Sequence, residues 1–103
     1  MKIIILALAF LTIAGCTNEA TNPLEKSAIA RAESEPASAD EYFLKKIEAG
    51  AAVEEQAIYL FGMGIAQEKL GNRMEAVNNY LAAEGLGNKS AAAALNRLNV
   101  RRD

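Results

Sequence analysis

The chain is predicted to be all-α, built of antiparallel helical hairpins that follow an export segment and a linker. Three observations carry that expectation. Beyond position 38 the apolar residues recur at three- and four-residue spacing, glycines punctuate them at helix-length intervals, and no segment alternates apolar and polar residues between hairpin turns.

The elements follow in chain order. The opening "MKIIILALAFLTIAGC" carries one positive charge at Lys2, an apolar run from Ile3 to Ala14, and small residues before a cysteine. That run falls well short of the roughly 20 residues a membrane-spanning helix needs. With its small-residue cleavage site it reads as an export signal, so residues 1–15 are excluded from the fold. Residues 16–38, rich in Thr, Ser, Ala, Asn and Glu and holding both prolines, are expected to be a flexible tether with at most a transient helix over Leu24 to Ala32. They lack the large apolar side chains that offset ordering entropy.

Residues 39–103 are expected to be the helical domain. Ser38 and Glu41 have capping-box spacing after Pro36, opening a first helix with Phe43, Leu44 and Ile47 on its apolar face and Gly50 as its stop. A second helix runs from Ala52 to Leu70 and ends at Gly71. Asn72 and Glu75 open a third, in which Ala76, Val77, Tyr80, Leu81 and Ala83 recur at helical spacing and which Gly85 and Gly87 end. Asn88 or Ser90 opens a fourth, with Ala91, Ala94, Leu95 and Leu98 inward. About sixty residues is close to the lower limit for a core without metals or disulfides, so a partner or a second copy is a natural supplement.

Cys16 is the only cysteine and directly follows Ile13, Ala14 and Gly15. This "IAGC" resembles the lipobox of bacterial lipoproteins. The resemblance implies cleavage between Gly15 and Cys16, a diacylglyceryl group on the Cys16 sulfur and an acylated amino terminus. Several acyl chains, palmitate among them, make such an anchor effectively permanent, whereas one binds only marginally. Thr17 is not the aspartate that marks inner-membrane retention in many of these proteins, so the resemblance implies the outer membrane, facing the periplasm. The plain alternative is an ordinary secretory signal with a cysteine nearby.

The chain also resembles itself. Tyr42 and Tyr80, Leu44 and Leu81, and Gly50 and Gly87 lie 38, 37 and 37 residues apart, the kind of period that stacked helical hairpins show. Ala57, Tyr59, Phe61, Gly62 and Ile65, then Gly71, Ala76, Tyr80, Ala82, Ala83, Glu84 and Gly85, resemble the Sel-one-like repeat, a relative of the tetratricopeptide repeat. They depart from its pattern where Phe61 replaces leucine and Ile65 replaces tyrosine. The resemblance implies close helix crossing at Gly62, Ala76 and Ala83, and protein binding along helix faces.

Composition narrows the function classes. Cys16 to Asp103 holds ten basic and thirteen acidic side chains, about −3 in net charge. The one basic cluster, Arg97, Arg101 and Arg102, suits a helix C-terminus, so no nucleic-acid partner is expected. The chain has no histidine, which removes the usual general base and commonest metal ligand. Glu54 and Glu55 are adjacent and do not face one another on a helix. Glu41 with Lys45, and Glu68 with Lys69 or Arg73, read as surface charge complementarity. No catalytic or metal site is expected, and no cofactor beyond the covalent lipid on Cys16.

"AIYLFGMGIAQEKLG" places Gly62 and Gly64 mid-helix, where each costs about 1 kcal/mol relative to alanine. "GMGIAQ" begins like a dinucleotide fingerprint, but Gln67 stands at the third glycine and no strand precedes it. Packing is the better reading for Gly62, because that register places Ile65 rather than the Gln67 amide at an aromatic core site. Gly64 has no such account.

The expected function is therefore a lipid-anchored envelope module for protein interaction or assembly. Ile58, Leu60 and Glu68 are its candidate contacts; the alternative for Ile58 and Leu60 is burial against a further helix or a dimer mate. A narrower version resembles pilotins and other assembly lipoproteins. A second class is a small membrane-acting effector or exclusion factor whose helices serve only as scaffold.

Overall fold

A computed structural model describes residues 22–102, in which all regular structure is helical. The five helices are α1 (Pro23–Ser34), α2 (Pro36–Glu48), α3 (Val53–Lys69), α4 (Arg73–Gly85) and α5 (Lys89–Arg97). Each packs against the next, and α1 also packs against α3, so α3 is the central element. Among the described residues no helix is long and apolar enough to cross a membrane.

The all-α expectation holds, but the predicted tether does not hold over its second half. Residues 16–21 lie outside the described residues, whereas α1 is a capped and packed helix. The Asn22 side chain accepts hydrogen bonds from Leu24 N (2.8 Å) and Glu25 N (3.2 Å), and Pro23 occupies the first turn, where its missing N–H costs nothing. Leu24, Ala28 and Ala32 recur every four residues on one stripe; Ala28 and Ala32 are buried and Leu24 is half-buried against the same cluster. Two alanines suffice because they let the α1 backbone lie close to its neighbours, which large side chains would prevent. Pro36, with no N–H to continue the helix, ends α1 and begins α2 one residue later.

That junction also moves the expected start at Ser38. The helix begins at Pro36, and the Ser38 hydroxyl reaches back to the Glu35 carbonyl at 3.5 Å rather than forming a capping box. Ala39 and Phe43 are buried and Ile47 is packed against them, whereas Leu44, expected inward, is 42% exposed. Glu41 and Lys45 form the expected surface pair at 3.6 Å. The three turns after α2, α3 and α4 each use a glycine with positive φ: Gly50, Gly71 and Gly87. Asn72 precedes α4 without capping it and donates instead to Gln67 Oε1.

Two buried clusters lie on either side of α3. The first joins Ala28 and Ala32 of α1, Ala39 and Phe43 of α2, and Ile58, Tyr59 and Met63 of α3. The second joins Phe61 of α3 with Ala76, Tyr80 and Ala83 of α4 and Ala91, Ala94 and Leu95 of α5. Leu60 and Ile65 touch both.

The glycine pair explains how one helix serves two clusters. Residues two apart on a helix point about 200° apart. A Cβ on Gly62 would lie 2.6 Å from Phe43 Cε2, and one on Gly64 would overlap the Tyr80 ring. Each glycine seats one aromatic ring, Phe43 from one side and Tyr80 from the other. Gly64, unexplained in sequence, does for the second cluster what Gly62 does for the first. Phe43 and Tyr80 are 37 residues apart, as are Gly50 and Gly87. The internal repeat therefore pairs Tyr80 with buried Phe43, not with Tyr42, which is 37% exposed.

Candidate functional site

The odd-numbered helices enclose a groove of about 700 Å³. Its floor is apolar: Ile29 from α1, Phe61 and Ile65 from α3, and Ala93 and Ala94 from α5. Glu33, Glu68, Lys69 and Arg97 supply a charged rim. The groove exists because α1 and α5 flank α3 without filling the space over it.

Polar latches hold both ends. At one, the Arg97 guanidinium grips Glu68 through two bonds of 2.8 Å, and the Tyr80 hydroxyl donates to Glu68 Oε1 at 2.7 Å. The Arg97 hydrogen bonds hold the Glu68 carboxyl down at about 2, against a partial opposing effect of burial. Burial first, then the bond to Glu68, pushes the Tyr80 phenol well above its ordinary value. Hydrogen bonding to Glu68 likewise raises Arg97, so the pair stays ionised throughout the ordinary pH range. Both bonds between Arg97 and Glu68 are charge-assisted and fork-shaped, the stronger geometry for such pairs.

At the other end Glu25 of α1 accepts from Asn88 Nδ2 (3.1 Å) and from Ser90 Oγ. Asn88 also caps α5, its Oδ1 accepting from Ala91 N at 2.7 Å. A carboxylate beside the first turn of α5 is further favoured by the helix dipole. One buried asparagine thus ends a turn, starts a helix and receives α1.

The sequence-derived site residues fall in different places. Gly15 and Cys16 lie outside the described residues. Gly62 faces the Phe43 ring, and Ala76 and Ala83 are fully buried one turn either side of Tyr80. Of the two readings for Ile58, exposed contact or burial against a further helix, the structure shows burial: it is only 6% exposed and belongs to the first cluster, because α3 is covered on both sides. Leu60 is half-buried between the two clusters. Glu68 does stand at the groove, yet its partner is Arg97, not Lys69 or Arg73. Arg73 instead donates to the Leu98 carbonyl. Of the tail cations, Arg97 pairs with Glu68 and Arg102 with Glu84 at 3.2 Å, so both serve tertiary contacts beyond the helix dipole.

Sequence reasoning misses Ile29 and Arg97 as groove residues and Glu25 as the partner of Asn88 and Ser90. Glu25 and Ile29 lie in the stretch expected to be tether, though the four-residue spacing of Leu24, Ala28 and Ala32 is a readable signal. The 29-residue separation of Glu68 from Arg97 leaves no local sign of their pairing.

Chemically the arrangement can hold an apolar segment against its floor and orient it by the charged rim. Among the described residues no three His, Cys, Asp or Glu side chains converge as a metal set would. Fold and groove together define a class, the helical-hairpin module with a concave face. No family model, curated protein or solved structure matches the chain.

Proposed function

We propose that this chain is a lipid-anchored protein of the bacterial envelope, held through Cys16, that works by docking an apolar segment of another protein in the α1–α3–α5 groove. The observation that carries the docking reading is the groove itself, an open apolar floor with a charged rim, enclosed on three sides by helices of one hairpin stack. Helical hairpins commonly present such faces to partner segments. The "IAGC" motif supports the anchor, and its lack of an aspartate at position 17 supports the outer membrane. The resemblance to Sel-one-like repeats supports a role in assembly, with the Phe43 and Tyr80 equivalence as its internal counterpart.

The test has two arms. Cys16→Ser should release the chain from membranes and block its processing; a variant still membrane-bound and shortened refutes the anchor. A photo-crosslinker at Ile29 should give one discrete adduct in intact cells, which Ala93→Arg abolishes. Ala93 is exposed on the groove, so the substitution should leave the unfolding midpoint in place. An undiminished adduct in Ala93→Arg refutes docking in the groove.

A further inference from the structure

A second and smaller pocket, of about 120 Å³, lies on the opposite seam, between α1 and α2. Two cations converge there on one ring. The Arg31 guanidinium carbon lies 3.8 Å from the Tyr42 ring centroid, and Lys46 Nζ lies 5.4 Å from the same centroid. The two charges are therefore at most about 9 Å apart. Among the described residues neither is paired with a carboxylate.

Helix geometry and the aromatic ring explain only part of this. Arg31 is in the last turn of α1, where the helix dipole favours a cation, and Lys46 is one turn beyond Tyr42 on α2, a spacing at which side chains meet. A ring face attracts both cations but supplies no net charge to offset their mutual repulsion.

Two hydroxyls complete the pocket. Ser27 lines it from α1 and Tyr59 from α3. Tyr59 is only 8% exposed, and its ring stacks on Phe43 with centroids 5.9 Å apart. Its hydroxyl makes no hydrogen bond with any described residue, unlike Tyr80, which donates to Glu68. The Tyr59 oxygen is not among the buried atoms left without a partner, so the hydroxyl is open to solvent and free to donate to a ligand. Two cations without a carboxylate partner and a hydroxyl free to donate, set around a small open pocket, match the chemistry of a compact oxyanion.

We propose that Arg31, Lys46 and Tyr59, with Ser27 beside them, form a binding site for a phosphoryl oxyanion, and that a phospholipid headgroup supplies it. The choice of headgroup rests on the anchored reading of Cys16; the chemistry of the site does not. Five residues separate Cys16 from Asn22, a link of at most roughly 20 Å. Arg31 lies about 12 Å along α1 from its first residue. The link is longer than that distance, so the α1–α2 seam can lie on the membrane surface while Cys16 holds its lipid.

The experiment titrates the full chain, in non-ionic detergent at constant ionic strength, with inorganic phosphate, following the Arg31 and Tyr59 side-chain resonances. The site predicts saturable shifts that chloride does not reproduce, weakened at least about tenfold by Arg31→Gln or Lys46→Gln, the effect of losing one charge-assisted bond. Tyr59→Phe keeps the stacked ring and should also weaken binding, with helix content unchanged. In a second arm, phosphatidylcholine vesicles with and without phosphatidylglycerol replace phosphate. Shifts of the same resonances with either vesicle establish the headgroup, and shifts with phosphatidylglycerol alone add that the lipid must carry net negative charge; saturation by phosphate with neither vesicle active keeps the site and overturns the headgroup. Absence of saturation, or equal phosphate affinity in both cation variants and Tyr59→Phe, overturns the site. The phosphate arm needs no lipid on Cys16, so it distinguishes failure of the oxyanion site from failure of the anchor.

Discussion

Replacing Gly64 by alanine sets two known effects against each other. Helix propensity alone makes the substitution stabilising by about 1 kcal/mol. The structure reverses the sign, because the added methyl would overlap the Tyr80 ring and lie 3.0 Å from its Cζ. That ring cannot swing aside: Tyr80 is fully buried and its hydroxyl is bonded to Glu68. Overpacking of a tight core costs about 1–3 kcal/mol, and displacing the phenol strains a bond to a charged group as well. The net expectation is a loss of about 1–2 kcal/mol for Gly64→Ala, and a similar loss for Gly62→Ala against Phe43. For a domain of this size that lowers the melting midpoint by roughly 5–10 °C. Gly85→Ala is the control, since a Cβ there meets nothing within 4 Å, and it should raise stability by about 0.5 kcal/mol. Thermal unfolding of the full chain followed by far-ultraviolet circular dichroism reads all three. If Gly62→Ala and Gly64→Ala both melt at or above the parent temperature, the ring-seating account is refuted.

Acid should weaken the Glu68 latch. The Glu68 carboxyl titrates at about 2 in the folded chain against 4.5 for the free group, so its contribution is whole above pH 4.5 and is lost as pH falls from there towards 2. Arg97 is over half exposed, and solvent screening limits the effect to about 1 kcal/mol; Glu68→Gln should remove that limb from the stability profile, and an unchanged profile would refute the latch. Glu25→Ala should free α1 from the start of α5 and cost about 1–2 kcal/mol, with faster amide exchange at Ala91 and Ala92. Exchange that speeds up only in α1 would show that Glu25 does not hold α5.

The helical class and most boundaries are legible in the sequence because they depend on local chemistry. Gly50, Gly71 and Gly87 each end a turn by adopting positive φ, and Asn88 caps α5 through its own side chain; both signals act within a few residues. What escapes is set by contacts distant in sequence. A helix made stable by two alanines looks like linker until the helices it touches are known, which is why α1 resembles a tether. Tyr42 and Phe43 are neighbours of similar propensity, and only packing against Gly62 decides which is buried. Ile58 looks exposed on the assumption that α3 has one covered side, whereas α1 and α2 cover one and α4 and α5 the other. The groove is invisible for the same reason, since two of its walls come from the first and last helices.

The position of α3 between two ring-seating surfaces has a consequence for how the chain is made. Synthesis completes the Phe43 side as soon as Lys69 has emerged, because α1 and α2 precede α3. The Phe61 and Gly64 side stays bare until Leu95 arrives, roughly 25 residues later and on the order of seconds at ordinary elongation rates. During that interval the nascent chain is a three-helix intermediate with one finished core and one open apolar wall. That wall is the surface a chaperone or an aggregating neighbour would meet first, and α4 and α5 together are the elements whose docking closes it.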